Sequence, residues 1–385
     1  MPLKVSGRGN IPAFIVMDVM QAAAEREASS EAVFHMEIGQ PGTSAPQGVL
    51  TAAKQAIDDN RLGYTLARGI PELRTAIAEN YNLSYGVNVD PSRIFATTGS
   101  SGGFVLSFLS AFDPGDRVAM AAPGYPCYRN ILSAFGVEPV LILTEAEHRY
   151  QPTPDLLESL VREQGPIDGL IIASPSNPTG TIIDAECMAQ LHAYCSSNGI
   201  RLISDEIYHG ITYANPAVSA LEFDSNAIII NSFSKYFSMT GWRLGWMVVP
   251  EDLIRSVECM VQNLFISAPT LSQIAGVAAF DCRAELEGNI ANYAANRALL
   301  LEQLPKMGFN RLAPADGAFY IYANVADFTD NSKSFCRRIL NETGVAITPG
   351  MDFDPDRGNR YVRFSFASPH EEVLGAVKAL KEWSS

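Results

Sequence analysis

With 385 residues and 47% apolar content, the chain has material for roughly two to three domains around a sizeable core, and 42 acidic against 28 basic residues leave it at −14. The acidic surplus is scattered rather than gathered in a tail, so nucleic acid and anionic membranes are poor partners. No apolar run approaches the ~18 residues of a membrane span and the opening MPLKVSGRGNIPAF lacks the apolar core of a secretory signal, while Cys127, Cys187, Cys195, Cys259, Cys282 and Cys336 form no CxxC pair and have no histidine at metal-ligand spacing. The expectation is a cytoplasmic protein with reduced thiols and no metal.

From about residue 90 to 250, short apolar runs alternate with segments of helical periodicity. RIFATTG, DRVAMAA, GLIIASP, IRLISDE, AIIINSF and LGWMVVP read as strands, and DAECMAQLHAYCSSNG reads as a helix closed by a glycine C-cap. Such alternation specifies an α/β domain on a mostly parallel sheet, whose ligands bind at the carboxyl ends of the strands. After about residue 283 the pattern changes to one long helix, RAELEGNIANYAANRALLLEQL, then shorter strands around 318–322 and 361–366, which reads as a second, smaller α+β domain. For its last helix the sequence predicts Ser368 as N-cap, Pro369 at the first helical position and Glu371 completing a capping box.

Each strand end carries polar residues: TTGSSGG, APGYP, SPSNPTG, SDEIY and NSFSK, in that order. At Thr98–Gly103 a strand turns into a helix through small hydroxyl-rich residues, so free N–H groups and the positive helix end suit a phosphate; a plain turn is an equally good local reading. Lys235 follows a buried strand, where desolvation lowers an amine pKa and makes a Schiff-base nucleophile, with Arg243 beyond it as a planar fork for a phosphate; composition alone favours a surface lysine in a loop, against which stand the two serines, the arginine and the tryptophans around it. Asp205 ends an apolar strand, where a carboxylate is expensive without a cationic partner such as a protonated ring nitrogen, although it also suits a helix N-cap. Asn177 in NPTG is a good turn residue whose amide can also donate to a phenolate oxygen, as can the hydroxyl of Tyr208; Tyr125 suits either a stacked ring or plain core. Arg363 alternates with apolar residues in YVRFSF and must reach solvent or meet an anion, a substrate carboxylate being the sharper choice.

Taken together, IGQPGTSAP, LGYTLARGIPELR, TGSSGG, PGYP, SNPTG, SDEIY, SFSKYFSMTGWRLGW and RFSFA resemble, in order and spacing over nearly the whole chain, the class I and II aminotransferases of the aspartate-aminotransferase-like group. The resemblance implies the fold type I architecture of pyridoxal-phosphate enzymes: a large domain over 45–285 and a small one formed by 1–44 and 286–385. It implies that Lys235 carries pyridoxal 5'-phosphate, that Asp205 pairs with the pyridine nitrogen, that Asn177 and Tyr208 bond the ring hydroxyl, and that Tyr125 stacks on the ring. Ser100, Ser101, Gly102, Ser232 and Arg243 would hold the phosphate, with Tyr64 reaching the site of the neighbouring subunit in a homodimer with shared active sites. Arg363, Asn177 and the backbone around Gly39 would bind the α-carboxylate. The implied activity is ping-pong transfer of the α-amino group of an L-amino acid to a 2-oxo acid, with Lys235, Asp205 and Tyr208 as the catalytic residues. A carbon–sulfur β-lyase shares the first proton abstraction and is the alternative; a non-enzymatic sensor fits less well, since only about forty residues precede IGQP. GSSGG lacks the lysine that some dicarboxylate-preferring relatives carry, and IPAFIVM offers apolar side chains, which tilts the expected substrate towards neutral or aromatic amino acids.

Overall fold

In the computed structural model, which describes residues 3–60 and 62–384, the first strand is the short β1 (Phe34–His35). Seven strands then form one sheet: β2 (Ile94–Thr97), β3 (Arg117–Ala122), β4 (Glu138–Leu143), β5 (Gly169–Ala173), β6 (Arg201–Asp205), β7 (Ile228–Ser232) and β8 (Gly245–Val248), in the order β2-β8-β7-β6-β5-β3-β4. All neighbours are parallel except β8, which runs antiparallel to both β7 and β2. Two reversals cancel, so β2 points the same way as β3, β5, β6 and β7. The carboxyl ends of these five strands therefore fall on one edge of the sheet.

The strands are near-continuous apolar runs because both faces are covered. Leu170, Ile172, Leu202 and Ile229 enter one buried cluster while Ile171, Ile203, Ile228 and Ile230 enter another. The helix Ala185–Asn198 is capped by Asp184, whose carboxylate accepts from Cys187 N at 2.8 Å, and stops at Gly199 with φ +68°. The six strand-like runs of the sequence all appear. A seventh, β4, escaped notice because Pro139 interrupts it; it lies at the sheet edge, paired only with β3, where a missing N–H is tolerated.

A second, antiparallel sheet joins β9 (Arg311–Leu312), β10 (Tyr320–Asn324), β12 (Thr348–Pro349) and β13 (Tyr361–Ser365) in the order β12-β13-β10-β9, while β11 (Val345–Ala346) pairs in parallel with β1. Its core includes Phe309, Phe335 and Phe364, packed with the helices Arg283–Lys306, Ser332–Thr343 and His370–Ser384. The helix Ile15–Ala28 packs against β11 and β12. The predicted cap of the last helix is corrected: the helix begins at His370, the Ser368 hydroxyl donates to His35 O at 3.0 Å, and no Ser368–Glu371 capping box forms, while Glu372 accepts from His35 N at 2.8 Å. Tertiary attachment of the 34–35 strand has claimed the Ser368 hydroxyl that local capping would use.

Phe309 is fully buried among Phe328, Phe335 and Phe364. Phe309→Ala is expected to cost about 3–5 kcal/mol of stability, read as a lower urea midpoint for the unfolding of this cluster.

Candidate active site

At the common edge, β2 runs directly into the helix Gly99–Ala111, whose first turn has no side-chain cap and leaves its N–H groups free beside Ser100 and Ser101. The helix starts earlier than the sequence suggested, taking in the serines and glycines read as a turn. Two glycines permit this approach. A Cβ on Gly99, at φ +72°, would lie 2.6 Å from the Arg243 guanidinium, and one on Gly245 would lie 2.8 Å from Gly99 C and 3.0 Å from Ser100 N. Arg243 is thereby laid across the open helix end.

At the end of β6, Asp205 is 4% exposed and accepts from the Tyr128 hydroxyl and from Ile207 N at 3.1 Å. Burial pushes its pKa up to about 6, against the pull of those two bonds and of Lys235. Past β5, the turn 176–181 closes with Gly180 N donating to Ser176 O at 2.8 Å, so the turn reading of NPTG holds as well. Asn177, in the same turn, accepts from Arg363 Nη1 at 2.9 Å. Past β7, Lys235 Nζ donates to Gly39 O at 2.5 Å. Burial, then repulsion by Arg363 and Arg243, brings the Lys235 amine down to about 8 despite the attraction of Asp205.

Arg363, on β13, is 3% exposed and lies over the rings of Tyr320 (4.4 Å) and Phe353 (4.9 Å). Its remaining bonds go to Glu37 O and the Thr348 hydroxyl, and its Nε has no partner. Every acceptor it meets is neutral. Among the described residues no carboxylate lies within ion-pair distance of this buried cation.

These groups line one cavity of about 620 Å³, together with Tyr125, Tyr208, Gly39, Ser234 and Thr240. Its far wall is apolar: Phe14, Val16, Met17, Met20 and Ile38. The Tyr208 hydroxyl lies 2.7 Å from that of Tyr320, and Tyr125 meets Tyr128 and Phe14 edge-on. Of the residues singled out in the sequence, Ser100, Ser101, Tyr125, Asn177, Asp205, Tyr208, Lys235, Arg243, Gly39 and Arg363 come together here. Three do not line it. Ser232 is buried with its hydroxyl between Leu244 O (3.1 Å) and Ser234 Oγ (2.9 Å), so Ser234 is the serine of that run that faces the cavity. Gly102 turns its bare side towards Thr98 Oγ1, 2.5 Å from where a Cβ would sit, and Tyr64 stands 86% exposed on the surface. Tyr128, Ser234, Thr240 and Tyr320 were missed. Tyr128 follows Tyr125 at helical spacing, the one signal that points to it; Tyr320 on β10 enters only through the folding of the second sheet against the first.

The family model for class I and II aminotransferases matches residues 31–380. The chain is 50% identical over 384 residues to the valine–pyruvate aminotransferase of Mycobacterium tuberculosis, spanning 99% of this chain and 98% of that protein. It is 35% identical over 379 residues to the (5-formylfuran-3-yl)methyl phosphate transaminase of Methanocaldococcus jannaschii, spanning 97% of each. The crystal structure of an aminotransferase from Mycobacterium tuberculosis matches it with a TM-score of 0.97 at 50% identity, covering 99% of both chains.

Because only the neutral amine is nucleophilic, reaction of the ligand-free protein with a small aldehyde, fixed at Lys235 by borohydride, is expected to rise with pH and reach half its maximum near pH 8, the value to which burial and the arginines bring the amine. A profile centred above pH 10 would contradict that environment.

Proposed function

Because the chain belongs to the class I and II aminotransferases, and so is an enzyme that moves the α-amino group of an amino acid to a 2-oxo acid, we propose that this cavity holds pyridoxal phosphate and that its amino donor is an L-amino acid with an apolar side chain. The charge of the cavity carries the first part: Lys235, Arg243 and Arg363 line it against the single carboxylate of Asp205, within a chain of net charge −14. Three cations gathered beside one anion call for anionic ligands.

The residues fit the cofactor in kind. The open end of helix Gly99–Ala111, with Ser100, Ser101, Ser234 and Arg243, suits a phosphate. Asp205, costly as a lone buried anion, suits the protonated nitrogen of a pyridine ring. The amide nitrogen of Asn177 and the hydroxyl of Tyr208 suit the ring hydroxyl, Tyr125 suits the ring face, and Lys235 suits covalent attachment. Bound there, pyridoxal phosphate supplies an electron sink for the substrate α-carbon.

Arg363 then takes the α-carboxylate, for which its neutral partners and open Nε leave it available. Lys235, neutral in a useful fraction near pH 8, removes the α-proton onto Nζ and returns it as general acid. Tyr128 and Ile207 N hold the Asp205 carboxylate in place and favour its ionised form. The apolar wall from Phe14 to Met20 would exclude water from its side of the cavity and offers no cation to a second carboxylate. This wall, and the valine named for the Mycobacterium tuberculosis relative, support valine or a similar donor with pyruvate as acceptor. Tyr64, exposed beside the exposed Leu62 and Leu66, supports a homodimer in which it completes the site of the other protomer.

Half-reactions with single amino acids, followed by the cofactor's spectrum, test the reading. Valine is expected to exceed aspartate by at least about tenfold in kcat/KM; preference for aspartate, or pyruvate and ammonia released from cystathionine without an acceptor, would overturn it. Arg363→Ala is expected to raise KM for the amino acid about 10- to 100-fold, as loss of a charged hydrogen-bond pair does, and Lys235→Ala to abolish turnover.

A further inference from the structure

The segment 350–360 lies outside the sheet edge yet meets three parts of the cavity's surroundings: the stretch 122–129, residues 15–16 and Arg363. It is a closed loop whose ends meet: a Cβ on Gly350 would lie 2.6 Å from Gly358 O, so no side chain fits there. Gly124 N donates to Phe353 O at 3.0 Å, and Arg357 Nη2 donates to Ala122 O at 2.6 Å, tying the loop to the segment that carries Tyr125. Arg129, one residue beyond Tyr128, donates from Nη2 to Asp352 O at 2.7 Å. Phe353 supports Arg363 from beneath.

The remaining group is the Asp352 carboxylate, 1% exposed. Its two oxygens accept from Ile15 N and Val16 N, each at 3.2 Å, more than 330 residues away in the chain. The helix Ile15–Ala28 has Phe14 in the N-cap position and no cap of its own, so Asp352 supplies from outside what a local serine or aspartate would supply. That first turn carries Val16 and Met17 into the cavity, with Met20 one turn on. The other end of the helix is held separately, by Arg26 Nη1 on Asn341 O (3.1 Å) and by Glu27 on His35 (3.1 Å).

We propose that Asp352 is a positioning residue for substrate selection: its carboxylate fixes the first turn of helix Ile15–Ala28 and with it the apolar wall that receives the substrate side chain. The proposal rests on the reading that the cavity takes an apolar amino acid. Asp352 touches neither substrate nor cofactor in this role; it acts through Val16 and Met17. A donor whose side chain is too short to reach the wall does not feel its loss.

The test uses the holoenzyme with Asp352→Ala and Asp352→Asn, in single-turnover half-reactions with L-valine, L-alanine and L-aspartate. Asp352→Ala is expected to weaken apparent valine binding about fivefold, the ratio that loss of one helix cap carries, while alanine binding and both limiting rates stay within about twofold. Asp352→Asn, which keeps one accepting oxygen, falls between. Hydrogen exchange at residues 15–20 should quicken in step, with the 94–111 segment unchanged. If wild-type enzyme prefers aspartate, the apolar-donor reading has failed. If wild type prefers valine but Asp352→Ala leaves the valine-to-alanine ratio unchanged, or weakens both equally, the assignment to Asp352 has failed while that reading stands. Should Asp352→Ala not fold, the isosteric Asp352→Asn decides by the same ratio.

Discussion

Three cations held beside one carboxylate set the terms for the rest of this structure. A buried guanidinium costs several kcal/mol of hydration unless something replaces it, and Arg363 recovers only part of that from an amide oxygen, a main-chain carbonyl, a hydroxyl and two ring faces. Neutral dipoles hold the cation without neutralising it. The field that remains serves two ends: it attracts the anionic groups of ligands, and with burial it lowers the proton affinity of Lys235. A carboxylate placed to satisfy Arg363 would have weakened both.

One strand reversal makes this concentration of charge possible. Because β8 runs antiparallel between β2 and β7, the open end of helix Gly99–Ala111 arrives on the same edge as Asp205 and Lys235. The β8 chain then leads back from Arg243, which is why Gly245 must be bare where β8 passes the helix start. The open helix end and the lysine are thus set by the sheet itself, whose strands are buried on both faces.

The sheet and its strand ends were legible because period, length and glycine punctuation are local properties. Lys235, Asp205 and Arg363 stood out as polar residues in places that make polarity expensive, and Asn177 as the turn residue of NPTG. What escaped depends on tertiary approach. Whether Ser232 or Ser234 faces the cavity is decided by Leu244 O, which claims the first hydroxyl. Beyond the helical spacing of Tyr128 from Tyr125, nothing local singles out Tyr128 or Tyr320, whose roles show only in the carboxylate and the hydroxyl they meet. Ser368 satisfied every local rule for a cap and still bonds to His35 O, because β1, paired with β11, passes beside it. Asp352 could not be found at all from its neighbours in sequence, since the helix it caps lies at the opposite end of the chain.

The two halves of the cavity meet in one short segment. Lys235 Nζ rests on Gly39 O, and Arg363 Nη2 rests on Glu37 O, two residues earlier on the same stretch of backbone. Gly39 lies against the Tyr320 hydroxyl so closely that any Cβ would overlap it, and that hydroxyl also meets Tyr208. Residues 37–39 therefore supply the carbonyls that stand in for anions at both cations. A carboxylate that binds Arg363 competes with the first of them and changes the charge seen by the lysine held on the second. Occupation of Arg363 by an anion and the proton affinity of Lys235 would in this way be coupled through three residues, with no movement of the sheet required. Of the apolar wall, Ile38 belongs to this same segment, while Val16, Met17 and Met20 are carried by the helix Ile15–Ala28, which is not bonded to either carbonyl.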